Sequence, residues 1–175
     1  MHSSQIPLVS PRRLLAKSYL MKLTLLTPGK MKQPFYADAQ AEFGTRIAKF
    51  CDFAIIETRE EPIVKNRNDD TLRKKEAVLL LSKIPAGAKI ICLDKSGKTL
   101  ASRQFAEQLQ VWEEDAQDVF FVIGGALGLH ETLLRQADAT LSLGKMTLTQ
   151  DLARVVLLEQ VFRGFTILRG IPFHR

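Results

Sequence analysis

From Met21 onward the chain alternates between two hydrophobic rhythms. "MKLTLLT" (21–27) is a short, nearly continuous apolar run closed by Pro28-Gly29, the pattern of a buried strand running into a turn. "QPFYADAQAEFGTRIAKF" (33–50) shifts to helical spacing, with Pro34 in its first turn and Phe35, Ala39, Phe43 and Ile47 on one face. "DFAIIE" predicts a second strand, and the polar stretch from Thr58 to Asp70 a loop. "TLRKKEAVLLLSKI" predicts a helix whose basic first half runs against the helix dipole. "AKIICLD" predicts a third strand, "SGK" a turn, and Ser102 a cap for a helix through "RQFAEQLQVWEED". "DVFFVIGG" predicts the fourth strand, a short helix follows over 130–136, and "ATLSLG" predicts a brief fifth strand.

The final helix is predicted over 150–168. Leu152, Val155, Val156, Leu158, Val161, Phe162, Phe165 and Ile167 cover too much of its circumference for a surface helix. Such a helix is buried on more than one side, here partly against a second subunit. Strands alternating with helices predict an α/β protein with a parallel sheet covered on both faces. The 175 residues suffice for one such domain, spanning 21–175. Residues 1–20 carry Arg12, Arg13 and Lys17 with no acid, and lack the apolar core of a secretory signal. A transit peptide has a similar composition, but Met21 opens the strand pattern, so 1–20 is read as an extension outside the fold.

Composition narrows the function classes. No apolar run approaches the roughly 18 residues of a membrane span. Cys51 and Cys92 have no metal-ligand spacing and sit among apolar neighbours, which predicts buried reduced thiols, no metal and a cytoplasmic protein. The formal net charge of +6 favours a polyanionic partner such as RNA.

Candidate chemistry gathers around "VFFVIGGALGLH" (119–130). A dinucleotide loop requires G-x-G-x-x-G after the first strand and an acid about 20 residues on. Here the spacing is G-G-x-x-G, it follows the fourth strand, and 144–149 contains no acid. No Gly-Lys-Ser/Thr follows, which excludes a Walker loop. Two readings of Gly124, Gly125 and Gly128 then stand: a tight strand-to-helix turn, or close backbone approach to a ligand.

"FVIGGALGLH", "LSLGKMTL", "RVVLLEQVFRGFTILRG" and the terminal "FHR", with "MKLTLLTPGK" and "LDKSGK", occur in an order and spacing that resembles the RlmH family, small SPOUT-class methyltransferases of bacterial 23S ribosomal RNA. The resemblance covers essentially all of 21–175. It implies a SPOUT-type parallel sheet flanked by helices, with a C-terminal deep trefoil knot that binds S-adenosylmethionine. It also implies a homodimer through the C-terminal helix, and N3-methylation of a pseudouridine on the assembled ribosome. The implied cofactor-binding residues are Leu93, Gly124, Leu143, Gly144, Lys145, Met146, Thr147 and Leu148; Met146 serves equally well as core filling.

His174 is the implied base for the N3 proton, against the simpler reading of a surface histidine at a frayed end. Arg154 is a candidate for anion stabilisation or phosphate contact, and Arg175 and Lys145 for RNA contact, with Arg73–Lys75 extending the basic surface. Arg163 is expected to pair with Glu159 one turn earlier. The chain departs from the family at Thr149-Gln150, where Pro-His is common, and at Phe173, where tyrosine is common. Thr149 still suits a helix cap. Because of these departures two other readings stay open: a SPOUT methyltransferase with a different RNA target, and a noncatalytic RNA- or ribosome-binding relative.

Overall fold

The structure is a computed structural model and describes residues 21–62 and 68–173. The elements in chain order are β1 (Lys22–Pro28), α1 (Pro34–Ile47), β2 (Asp52–Thr58), α2 (Asp69–Leu81), β3 (Lys89–Thr99), α3 (Ser102–Glu114), β4 (Asp118–Ile123), α4 (Glu131–Leu134), β5 (Ala139–Ser142) and α5 (Gln150–Leu168). The strands form one parallel sheet in the order β2-β1-β4-β3-β5. β1 and β4 lie inside the sheet and are buried on both faces after their first residue. That double burial is why their sequences read as unbroken apolar runs.

The sheet divides the core in two. Leu23, Leu25, Ile91, Val119 and Phe121 face one side, packed with Ile47, Leu109, Trp112, Leu157, Val161 and Phe165 from α1, α3 and α5. Leu26, Cys92, Phe120 and Val122 face the other, packed with Ala77 and Leu80 of α2 and Leu133 of α4. α5 lies against both α1 and α3, and none of its residues is exposed. Phe165 stacks on Phe50 at 5.3 Å, and Phe121 meets Trp112 edge-on at 5.9 Å.

Four local expectations change. Phe35 stands 61% exposed, and only Ile47 of the expected α1 face is fully buried. α2 begins at Asp69, so Asp69 and Asp70 occupy its first turn, and Asn68 Oδ1 accepts from Asp70 N–H at 2.9 Å. Those acids answer the dipole that the basic residues after them appeared to oppose. Ser102 does not cap α3: Ala101 holds that position, Gln104 Oε1 accepts its N–H, and Ser102 Oγ donates to Gln160 Oε1 of α5 at 2.9 Å.

The "SGK" turn is an excursion within one long strand. Leu93 and Lys98 both face Leu141 of β5, so the residues between them leave the ladder. Asp94 Oδ1 fixes the excursion by accepting from Ser96 N–H (2.9 Å) and Oγ–H (2.6 Å).

Both cysteines are buried free thiols. Burial, then Asp52 and Glu113, push Cys51 up to about 12, and burial followed by Asp94 does the same to Cys92. Native protein at pH 8 is predicted to resist iodoacetamide at both positions and to react at both after denaturation, read by mass spectrometry. The sign for stability follows from the raised values. The thiols' contribution is complete below pH 9.0 and is lost as pH climbs toward 12, because the unfolded chain ionises first.

Candidate functional site

In an open parallel sheet, ligands bind beyond the carboxyl ends of the strands, where the strand order reverses. Here the reversal lies between β1 and β4. Register aligns Leu93 with Ile123 on one side and Leu141 on the other. Leu93, Gly124 and the residues after Ser142 therefore leave the sheet at the same level.

The chain emerges from β5 at one edge, and α5 starts beside β1: Gln150 Nε2 donates to Thr27 Oγ1 at 2.9 Å and to Pro28 O at 2.7 Å. Residues 143–149 must cross the carboxyl ends of β3 and β4 to get there. Three strand spacings are about 14 Å, and seven extended residues reach about 23 Å. The segment thus has slack to curve and form a wall opposite Leu93 and Gly124. Ser142 Oγ shapes its start, donating to Gly144 O (2.9 Å) and accepting from Gly144 N–H (3.3 Å).

The glycines have different reasons to be glycine. A Cβ on Gly124 would meet the carbonyl carbon of Gly128 at 2.7 Å and Leu129 N at 2.8 Å. Its missing side chain makes room for the chain's own turn, so the close approach at Gly124 is first of all intramolecular. Gly144 adopts φ +149° with nothing within 4 Å of its Cβ direction. Its backbone faces open space.

Around it, Lys145, Met146 and Thr147 are exposed, while Leu93, Leu143 and Leu148 are half-buried. At 82% exposure Met146 is not core filling. Another groove, of about 360 Å³, lies between α3 and β5 and is lined by Lys98, Gln104, Val111, Trp112 and Thr140. None of the strand-end residues lines it.

Arg154 is placed differently from the RNA-facing role expected for it. Its side chain is wholly buried; Nη1 meets Glu57 Oε1 at 3.0 Å, and Nη2 donates to Pro28 O (3.0 Å) and Gly29 O (2.8 Å). Burial pulls the guanidinium below its usual value, with Glu57 foremost in opposing that shift. The arginine clamps the β1 turn to α5 instead of facing a phosphate. Arg163 pairs with Glu159 at 2.6 Å, as its spacing implied, and lies over Phe173; Arg169 pairs with Glu113.

The expected cluster of C-terminal arginines is therefore largely engaged within the chain. Lys74, Lys75 and Lys145 are exposed, and Arg73 pairs with Asp70 at 2.9 Å. His174 and Arg175 lie outside the described residues. Phe173 packs edge-on against Phe162 at 4.7 Å, and Thr149 caps α5 by accepting from Leu152 N–H.

Several site residues were not anticipated. Glu57 and Gln150 complete the clamp around Pro28, and Asp151 Oδ2 accepts from Lys32 N–H at 3.2 Å. The available signal was the i, i+4 pair Gln150–Arg154 at the start of a largely apolar helix, since a buried cation needs partners. Glu76, only 8% exposed, sits behind the glycine turn: a Cβ on Gly125 would meet its Oε2 at 2.8 Å. His130 caps α4, accepting from Thr132 N–H at Nδ1, with Nε2 3.5 Å from Asp70 Oδ1. Among the described residues no group of three or more His, Cys, Asp or Glu is placed to hold a metal. No described helix is long and apolar enough to cross a membrane.

Removing one partner of a buried ion pair strands the other and costs about 3–5 kcal/mol. Arg154→Met is predicted to lower unfolding stability by that order, because it strands the Pro28 and Gly29 carbonyls as well as Glu57; Glu57→Gln is milder because Arg154 keeps both carbonyls and the amide oxygen can still accept from Nη1. Urea unfolding of both variants measures the difference.

Comparison with known proteins fits this geometry. The family model described as "Predicted SPOUT methyltransferase" matches residues 21–174. The chain is 39% identical over 155 residues to a protein of Gemmatimonas aurantiaca named "Ribosomal RNA large subunit methyltransferase H", covering 89% of this chain and 100% of that one. Proteins of the same name from Syntrophotalea carbinolica and an Anaeromyxobacter species are each 38% identical. They cover 88% of this chain and 99% of the relative, and 89% and 100%, respectively. On these matches the chain belongs to the SPOUT methyltransferase family.

Proposed function

We propose that the protein uses S-adenosylmethionine to methylate N3 of a pseudouridine in large-subunit ribosomal RNA. The observation that carries this reading is the return of the chain from β5 at the sheet edge to Gln150 beside β1, past the strand ends where Leu93 and Gly124 lie. The printed names of the relatives support the RNA substrate, and the motif resemblance supports the nucleotide. The same segment is the proposed closure of a trefoil knot. Its path from the β5 edge back to β1 supports that topology, which ordinary connection rules would not favour.

The residues present fit the cofactor. An adenine needs apolar faces and backbone groups for its edge; Leu93, Leu143 and Leu148 offer the first, and the open backbone at Gly144 the second. When bound, S-adenosylmethionine supplies a methyl group already activated by its sulfonium. The protein's task is then to exclude water, hold the nucleobase in line at about 3 Å, and remove the N3 proton.

His174 is the proposed base, and Lys145 and Arg175 the proposed RNA contacts. Arg154, closed inside the clamp, holds the β1 turn against α5. The half-buried Leu152, Val155 and Val156 of α5 support a homodimer through that helix. The match beginning at residue 21 supports treating 1–20 as an extension, and cytoplasmic action follows from the proposed substrate.

Ribosomes from a strain lacking this methylation are predicted to gain one methyl group per large subunit on incubation with protein and cofactor. Absence of transfer to joined subunits would favour the noncatalytic reading, and transfer to another nucleotide the shifted-target reading. By calorimetry, Gly144→Val should weaken cofactor binding at least tenfold, about 1.4 kcal/mol. His174→Ala should slow turnover by about 10²–10⁴-fold with cofactor affinity unchanged.

A further inference from the structure

Glu76 is a glutamate buried at the strand ends, and its neighbours make it costly to keep there. It projects from α2 into a niche bounded by Arg73, Leu80, Gly124, Leu129 and His130. Burial, then the charges of Glu60 and Glu61, raise its carboxyl above the usual range. The backbone N–H groups of Glu61 (3.4 Å) and Gly125 oppose that rise. Arg73, one turn earlier, directs Nη2 to Asp70, and Nε2 of His130 also faces Asp70. Among the described residues no cation forms an ion pair with Glu76.

A buried carboxylate among acids is destabilising in itself. A glutamine of the same shape keeps one acceptor oxygen for the backbone donors but not the charge. The carboxylate stands against Gly125, next to the residue at which β4 opens into the candidate cofactor site. A ligand bringing a positive charge there would supply a partner that none of the described residues provides, and the low-dielectric setting makes the attraction effective across a peptide unit.

We propose that Glu76 is a specificity-determining residue of this site: its carboxylate, held behind the Gly124–Gly125 turn, favours a sulfonium-bearing methyl donor over the neutral thioether left after transfer. The inference rests on the reading of the strand ends as a methyl-donor site. It assigns this chain a means of releasing product, because loss of the methyl group removes the charge that Glu76 attracts.

The test is calorimetry on the full chain with S-adenosylmethionine and S-adenosylhomocysteine, alongside thermal unfolding. The two ligands share the same amino-acid head, so the ratio of their affinities isolates the sulfonium charge. Glu76→Gln is expected to reduce the donor-to-thioether ratio about tenfold while unfolding at or above the wild-type temperature. Glu76→Asp should retain the wild-type preference. An unchanged ratio in Glu76→Gln overturns the inference.

If Glu76→Gln does not fold, the ratio is read against pH in wild type and in His130→Asn, which keeps a capping acceptor and removes the nearby imidazole. It should fall in both on acidification, as Glu76, whose burial raises its carboxyl, takes up its proton before carboxylates of ordinary value. A flat profile overturns the inference. Wild-type protein that binds neither ligand would overturn the methyl-donor reading itself, and the inference with it.

Discussion

The carbonyl groups of Pro28 and Gly29 end the first strand at the middle of the sheet, where both are bound by side chains of α5. Arg154 answers both with one guanidinium nitrogen and holds Glu57 with the other. Gln150, one turn earlier on the same face of α5, reaches Pro28 as well. The strands β1 and β2 and the last helix thus meet at one buried cation. Buried charge is tolerated only when its hydrogen bonds are met, and the fold meets them by bringing α5 back across the sheet. The position of α5 in turn sets where the 143–149 segment must run.

The candidate site is a consequence of that return. Because β5 lies at the far edge and α5 is anchored at β1, the intervening segment has to lie across β3 and β4. It therefore runs past the strand ends at the level of Leu93 and Gly124. The departures from family pattern fall into place on the same ground. Gln150 has become part of the anchor, and Phe173 packs on Phe162 while Arg163 lies over its ring. Both positions have been absorbed into holding α5.

Much of the fold was legible because its signals are local. The bounds of α5 follow from Thr149 as cap and from the length of the apolar run, and each central strand announces itself by burial on both faces. Legibility failed where a second element intervenes. Ser102 has the chemistry of a cap, yet its hydroxyl goes to Gln160, a partner 58 residues away. The excursion after Leu93 looked like the end of a strand because nothing local indicates that Lys98 rejoins Leu141. Arg154 looked like an RNA contact because a basic residue in a basic segment carries no mark of the carbonyl groups that will enclose it.

The sequence by itself determined the element order, the parallel α/β class, the capped apolar helix at the C-terminus and the residues that carry the family resemblance. These depend on periodicity, turn chemistry and motif spacing, all of which act over a few residues or survive as strings. Tertiary structure alone decided which charges face outward and which glycines leave space. Gly124 is filled by its own turn and Gly144 stands open; Arg154 is buried whereas Lys145 is exposed; and Glu76 lies behind the turn that opens the site. The physical reason is that burial and electrostatic pairing depend on distances between segments far apart in the chain, and those distances exist only once the sheet has ordered its strands.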